Sequence, residues 1–311
     1  MEPRCNLIVD SCCDLPFEQV NRAGVDLIEF PYVIGGVEKL DDFYRSTTPH
    51  DFFEKMRNKK AEQPTTSQMP TQTLEDTFRR ALESGVPTVY LSFTGALSGS
   101  FDAATLVREQ LAQEYPDGTL YLVDTKLASI AEGLLVFEAL GQIKKGLSAE
   151  EMVAWAEEAR FFVNAQFMVD DLDALRRGGR IPSGVAMAGA KLDVKPMLGF
   201  DLEGNLVLTG VARGRKKAIR QLQEYYEKRS DATQPMRRII IGHADCQKDA
   251  ARLKEGIAKD DADALILETS IGPVIGSHVG PDMLAMVFWG PDRRNDISVA
   301  DRIAKRVKER G

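Results

Sequence analysis

Thr88-Val89-Tyr90-Leu91-Ser92-Phe93-Thr94-Gly95-Ala96-Leu97-Ser98-Gly99-Ser100 passes from a β-branched and aromatic run into a loop of Gly, Ser and Thr. The run Thr88 to Ser92 predicts a strand, and the residues after the loop predict a helix through about Glu114. Strand, loop, helix is the repeating unit of α/β architecture, and the loop after a parallel strand is where such sheets place ligands. Unpaired amides and the helix dipole at that N-terminus favour a negative group. The loop has neither the Lys nor the GxxxxGK[ST] spacing of a Walker loop, and it lacks GxGxxG. It reads as an anion cradle and gives no sign of a phosphate cofactor.

The same unit recurs on both sides. Upstream, Leu7-Ile8-Val9 ends in Asp10-Ser11, and Asp14-Leu15-Pro16-Phe17 has the Pro and acid of a helix start. Asp10, Ser11 and Asp14 are thus site or loop-shaping candidates, with helix capping by Ser11 or Asp14 the favoured reading. Val25 to Val37 reads as one or two strands, and Thr48 to Met56 as a capped helix. Downstream, Leu120 to Thr125 is a strand, Ser129 to Lys144 a helix closed by Gly146, and Ser148-Ala149-Glu150-Glu151 a capping-box start. Residues 1–160 are therefore expected to form an N-terminal α/β/α domain with a parallel sheet.

Past Arg160 the pattern changes. Phe161 to Met168 is strand-like, Asp170 to Arg176 a short helix, and Arg177-Gly178-Gly179-Arg180-Ile181-Pro182-Ser183 a special loop before an apolar Ala/Gly-rich helix. Glu203-Gly204-Asn205 separates two strand-like runs as a hairpin turn would. An amphipathic helix over Lys216 to Arg229, strands at Arg238 to Gly242, Ala264 to Glu268 and Met283 to Trp289, and a charged tail helix from Ser298 complete a C-terminal α+β mixed-sheet domain, 161–311. The fold class is α/β overall.

Two further stretches stand out. Gln63-Pro64-Thr65-Thr66-Ser67-Gln68-Met69-Pro70 carries more hydroxyls than the cap of the following helix needs. Ile271-Gly272-Pro273-Val274-Ile275-Gly276-Ser277-His278-Val279-Gly280-Pro281 holds three glycines and two prolines, which predicts a shaped loop in place of helix or strand. The competing reading is a rigid connector with one buried His.

The chain has 311 residues, 43% hydrophobic and 28% charged, enough apolar content for packed cores in two domains. A net charge of -7 argues against a nucleic-acid or anionic-membrane binder. Four cysteines without a CxxC pair suggest neither a zinc site nor a disulfide framework, and point to a reduced, cytoplasmic setting. No export leader and no apolar run approaching the roughly 20 residues of a membrane span is evident, so lipid, if it matters to this protein, is met as a ligand, with membrane contact transient at most.

Taken in order, Asp10-Ser11 with Asp14-Leu15, Thr66-Ser67-Gln68, Leu97-Ser98-Gly99, Asp124-Thr125, Gly178-Gly179-Arg180-Ile181, Lys195-Pro196 and the Ile271 to Pro281 stretch resemble the DegV family of lipid-binding proteins. These are also known as the fatty-acid-binding subunits of bacterial fatty acid kinase. The resemblance covers nearly the whole chain. It implies a two-domain DegV-like fold that encloses one long-chain fatty acid, with no catalytic residues, no metal and no cofactor besides the bound acid. The carboxylate would be held by Thr66, Ser98, Arg180 and His278, with Ser67, Thr94, Gly99, Gly276 and Ser277 as supporting loop residues. A structural ion pair with an acid between Asp170 and Asp173 is the competing reading for Arg180. A separate kinase subunit would convert the presented acid to an acyl phosphate. Asp282 stands where the family commonly has Gly, on the implied partner-facing surface. Phe161, Phe162, Met187 and Leu192 are the side chains expected to close the tunnel end. The alternative function is a lipid hydrolase using Ser98 or Ser277 with His278, though no GxSxG elbow or triad acid supports it.

Overall fold

The computed structural model describes residues 4–181, 193–230 and 237–295. In chain order the elements are β1 (Asn6–Asp10), α1 (Phe17–Val20), β2 (Val25–Ile28), β3 (Pro31–Ile34), β4 (Val37–Leu40), α2 (Pro49–Arg57), β5 (Thr65–Thr66), α3 (Thr71–Glu83), β6 (Thr88–Ser92), α4 (Ser100–Glu114), β7 (Leu120–Asp124), α5 (Ile130–Lys144) and α6 (Ala149–Ala159). There follow β8 (Val163–Met168), α7 (Asp173–Arg177), β9 (Val194–Phe200), β10 (Leu206–Arg213), α8 (Arg215–Arg229), β11 (Arg238–His243), α9 (Gln247–Asp260), β12 (Leu265–Ser270), α10 (Pro273–Val279) and β13 (Leu284–Trp289). The expected apolar helix with Met187 and Leu192, and the tail helix from Ser298, lie outside the described residues.

The first sheet is parallel, in the order β2-β1-β6-β7. Leu7, Ile8 and Val9 of β1 are all fully buried, as a near-continuous apolar run between two covered faces requires. Helices α3 and α4 pack on each other and against this sheet, while α6 packs against β6 and β7 and carries α5 on its side. The second sheet is mixed, in the order β10-β9-β8-β13-β11-β12, with only β11 and β12 parallel. Its outer face is covered by Ala218, Ile219 and Leu222 of α8 and Ala250, Leu253 and Ile257 of α9.

Helix α5 joins the two layers. It touches β8, β11 and β13 of the mixed sheet, and its sequence IAEGLLVFEALGQIK is buried almost all round, as a helix sandwiched between layers must be. A small antiparallel sheet, β4-β3-β5, packs against α10 and sets Tyr32 opposite Thr66.

The Ile271 to Pro281 stretch corrects the loop expectation, because residues Pro273–Val279 form a helix. Pro273 occupies the first turn, where its missing N–H costs nothing, and Gly280 ends the helix at φ 78°. Gly276 faces the rings of Phe52 and Phe53, where a Cβ would come within 2.8 Å of Phe53. Each glycine here answers to tertiary geometry, which composition alone does not reveal.

Candidate functional site: an apolar cavity with a polar mouth

A cavity of about 220 Å³ lies where the loops of the parallel sheet, the start of α5, the inner face of the mixed sheet and α10 meet. Its walls are apolar, with Phe30, Phe93, Phe167, Phe200, Leu206 and Met283 among them. At one end stand Thr66, Ser67, Gln68, Ser98, Gly99, Arg180 and His278. The four residues expected to hold an anion are thus on one cavity, brought from β5, the loop before α4, the segment after α7 and the end of α10.

Thr66 is positioned by backbone pairing of β5 with β3, which leaves its side chain free to meet His278 Nε2 at 2.8 Å. Ser98 Oγ accepts the Ser100 amide at 3.2 Å and donates to Ser100 Oγ at 3.0 Å, so it shapes the entry to α4. Gln68 ties the two loops together by donating Nε2–H to the Gly99 carbonyl at 3.2 Å. Sequence reasoning quoted Gln68 in a motif but assigned it no role.

Arg180 donates from Nε to the Leu97 carbonyl at 3.0 Å and from a terminal nitrogen to the Gly178 carbonyl. The acids proposed as its structural partners are engaged elsewhere: Asp170 with Lys195 and Arg215, Asp171 with Lys59, and Asp173 with Arg176. Among the described residues no carboxylate pairs with Arg180. Its charge therefore faces the cavity end held only by carbonyl oxygens.

His278 is pushed down to about 4, first by burial and then by the charge of Arg180, so its ring is neutral near pH 7. Its Nδ1 has no hydrogen-bond partner among the described residues. Gly178 backs the ring, and a Cβ there would stand 2.1 Å from Nδ1. That contact gives a steric reason for the first Gly of the Gly-Gly-Arg run.

Three of the supporting residues stand off the cavity. Ser277 is buried and donates to the Pro273 carbonyl at 2.7 Å. Gly276 serves the α2 contact described above, and Thr94 is fully buried, accepting the Ala96 amide at 3.1 Å. No hydrogen bond joins His278 to Ser98 or Ser277. Phe161 and Phe162 do not line the cavity either: Phe161 lies under the guanidinium groups of Arg160 and Arg294, and Phe162 beside Trp155 and Trp289.

The first-strand loop also departs from expectation. Asp10, not Ser11 or Asp14, caps the turn Ser11–Cys13 by accepting the Cys12 amide at 3.0 Å. Ser11 Oγ accepts the Phe30 amide, and Asp14 reaches α10 across the molecule. Asp282 pairs with Arg57 at 2.9 Å. Among the described residues, no cluster of His, Cys, Asp and Glu could hold a metal ion, and no helix is long and apolar enough to cross a membrane.

The family model described as "Uncharacterised protein, DegV family" matches residues 4–290. A DegV domain-containing protein of Clostridium perfringens is 36% identical over 284 residues, 91% of this chain and 97% of that one. Among solved structures, a DegV family protein from Thermus thermophilus described for its fatty acid binding superposes with a TM-score of 0.80 at 29% identity, over 93% of this chain and 100% of its own. DegV from Bacillus subtilis, described as a fatty acid binding protein, gives 0.78 at 26% identity, over 93% and 100%.

Proposed function

Because this chain belongs to the DegV family, we propose that it binds a long-chain fatty acid in the cavity, with Thr66, Ser98, Arg180 and His278 around the carboxylate and the acyl chain against the apolar walls. The observation that carries this reading is Arg180, a cation without a carboxylate partner among the described residues, beside two hydroxyls and a neutral imidazole at one end of an apolar cavity. A buried carboxylate needs several donors to offset its desolvation. With His278 Nε2–H donating to Thr66 Oγ1, the Thr66 hydroxyl is free to donate to the anion. The acyl chain adds roughly 0.8 kcal/mol per buried methylene.

The protein is then a carrier that presents the carboxylate to a separate fatty acid kinase subunit, in the cytoplasm. Ser67, Gln68 and Gly99 at the mouth are exposed, so the head group lies at the end a partner can reach. The four cysteines are all free, in keeping with a reducing compartment. The division near residue 160 separates the two sheets, the parallel one built before it and the mixed one after it, while one apolar cluster runs across both. The hydrolase reading gains nothing from the geometry, since His278 is bonded to Thr66 and to neither candidate serine. Mass spectrometry of organic extracts from denatured protein, followed by titration of delipidated protein with palmitic acid, tests the proposal. Absence of both co-purified and added acid would overturn it. Acyl-phosphate formation only when a kinase subunit and ATP are both supplied tests the carrier role.

A further inference from the structure

The Asp10 to Asp14 motif belongs to no part of the cavity, yet its last residue ends on the helix that carries His278. Asp14 Oδ1 accepts the Gly272 amide at 2.8 Å, while Oδ2 accepts the Ser129 hydroxyl at 2.5 Å. Asp41 Oδ2 accepts the Val274 amide at 3.3 Å, and its Oδ1 the Phe43 amide at 3.4 Å. The Tyr44 hydroxyl donates to the Ile271 carbonyl at 2.7 Å. Three side chains from the N-terminal half thus hold the backbone of residues 271, 272 and 274 at the entry to α10. Gly272 is what lets both carboxyls close on one turn: a Cβ there would stand 2.7 Å from Asp14 Oδ1 and 2.8 Å from Asp41 Oδ2. Phe43 and Tyr44 both hold left-handed φ of 58°, a conformation that side chains disfavour and that the surrounding contacts must impose.

The far end of α10 is equally confined. About 9 Å along the helix from Gly272, the His278 ring is fixed between Thr66 Oγ1 at 2.8 Å and Gly178, with no room for a methyl group. Midway, Gly276 lies against the Phe53 ring. A rod seven residues long, clasped at its start, cannot tilt without breaking the Thr66 bond or driving the imidazole into Gly178.

We infer that Asp14, Asp41 and Tyr44 are positioning residues for the carboxylate site, acting through α10 on His278. The inference takes its ligand from the fatty-acid reading above, but its geometry stands apart from that reading. None of the three residues touches the anion. They set where the imidazole stands, and through it the orientation of the Thr66 hydroxyl.

The test compares Asp14→Ala, Asp41→Ala and Tyr44→Phe with Asp14→Asn and Asp41→Asn, all as delipidated full-length protein. Asn keeps a carbonyl oxygen for the helix amide, and Ala does not. Two readouts are taken: palmitic acid affinity, and the ring nitrogen resonances of His278, tractable because the chain has only three histidines. The Ala and Phe variants are expected to lose about three- to thirtyfold in affinity, the range seen for residues that couple to a site without touching ligand. The Asn variants recover most of the loss. The His278 signal moves in the Ala and Phe variants before any ligand is added. If the alanine variants fail to fold, Tyr44→Phe, which removes one oxygen, decides. An unmoved His278 signal with affinity equal to the unaltered protein overturns the inference. If the signal moves as expected but the unaltered protein takes up no palmitic acid, the positioning stands and the fatty-acid reading falls.

Discussion

Thr66→Val removes one oxygen and little else. Its strand β5 pairs with β3 through backbone groups, with Tyr32 opposite Thr66, so the ladder survives the change. What goes is the 2.8 Å bond to His278 Nε2 and the hydroxyl that would donate to the carboxylate. A charge-assisted hydrogen bond in a buried site is worth about 1.5–3 kcal/mol. At about 1.4 kcal/mol per factor of ten, palmitic acid affinity should fall roughly tenfold to a hundredfold. The vacated Nε2 also costs the folded protein up to about 1–3 kcal/mol, so a binding loss has to be separated from a stability loss. Hexadecanol provides the separation, because it fills the apolar walls without a carboxylate. Calorimetric titration of both ligands into delipidated protein should show the variant losing most of its preference for the acid, while hexadecanol binding changes little. Equal losses for the two ligands, or unchanged palmitic acid affinity, would refute the assignment of Thr66 to the carboxylate.

Gly178→Ala suits the backbone, which is helical at φ -74°, but places a methyl 2.1 Å from His278 Nδ1. Displacing the ring should weaken palmitic acid about tenfold, in line with one lost hydrogen bond; unaltered affinity in a fluorescence displacement assay would remove His278 from the site. Ala165→Phe fills the cavity wall from β8 and should penalise long acids more than short ones, by roughly 0.8 kcal/mol per excluded methylene. Dodecanoic and octadecanoic acids losing equally in titration would mean that the chain runs elsewhere. Burial pushes Asp10 up to about 6, Asp14 up to about 7 and Glu132 well above the usual carboxylate range, with neighbouring Asp10 adding to the push on Glu132. Folded-state values above the unfolded ones mean that stabilisation present below about pH 4 is lost as pH rises through 6 to 7 and beyond. Glu132→Gln removes one such group, so its stability relative to the unaltered protein should improve between about pH 5 and about pH 8 in urea melts. A gap that stays flat with pH contradicts this account of the buried acids.

The sheets were legible because their signals are local. Leu7-Ile8-Val9 and Thr88 to Ser92 are apolar runs short enough to be strands, and each meets a polar loop at its C-terminal end. Glu203-Gly204-Asn205 marked the β9–β10 hairpin in the same way. The Ile271 to Pro281 stretch failed because helix propensity is also a local signal, and here it was overruled from far away. The amides at the start of α10 are met by Asp14 and Asp41, 258 and 233 residues distant in the chain. No window of sequence contains that pairing. The same distance hid the role of Asp14, for which a cap on the adjacent helix was the nearer explanation.

The choice of Thr66 among neighbouring hydroxyls shows where local reading stops. Thr65, Thr66 and Ser67 have similar chemistry, and only the register of β5 against β3, with Val33 opposite Thr65 and Tyr32 opposite Thr66, decides which one faces His278. Alternation along a strand turns successive side chains to opposite faces, so a shift of one residue would have presented Thr65 or Ser67 instead. The head-group residues come from four segments far apart in the chain, β5, the loop before α4, the loop after α7 and α10, so none of their mutual distances is encoded by spacing. The resemblance supplied the residue set, and the fold supplies the reason for it. The neutral imidazole meets the Thr66 hydroxyl with α10 clasped at one end and blocked by Gly178 at the other, while the Leu97 carbonyl holds the Arg180 guanidinium next to the Ser98 loop.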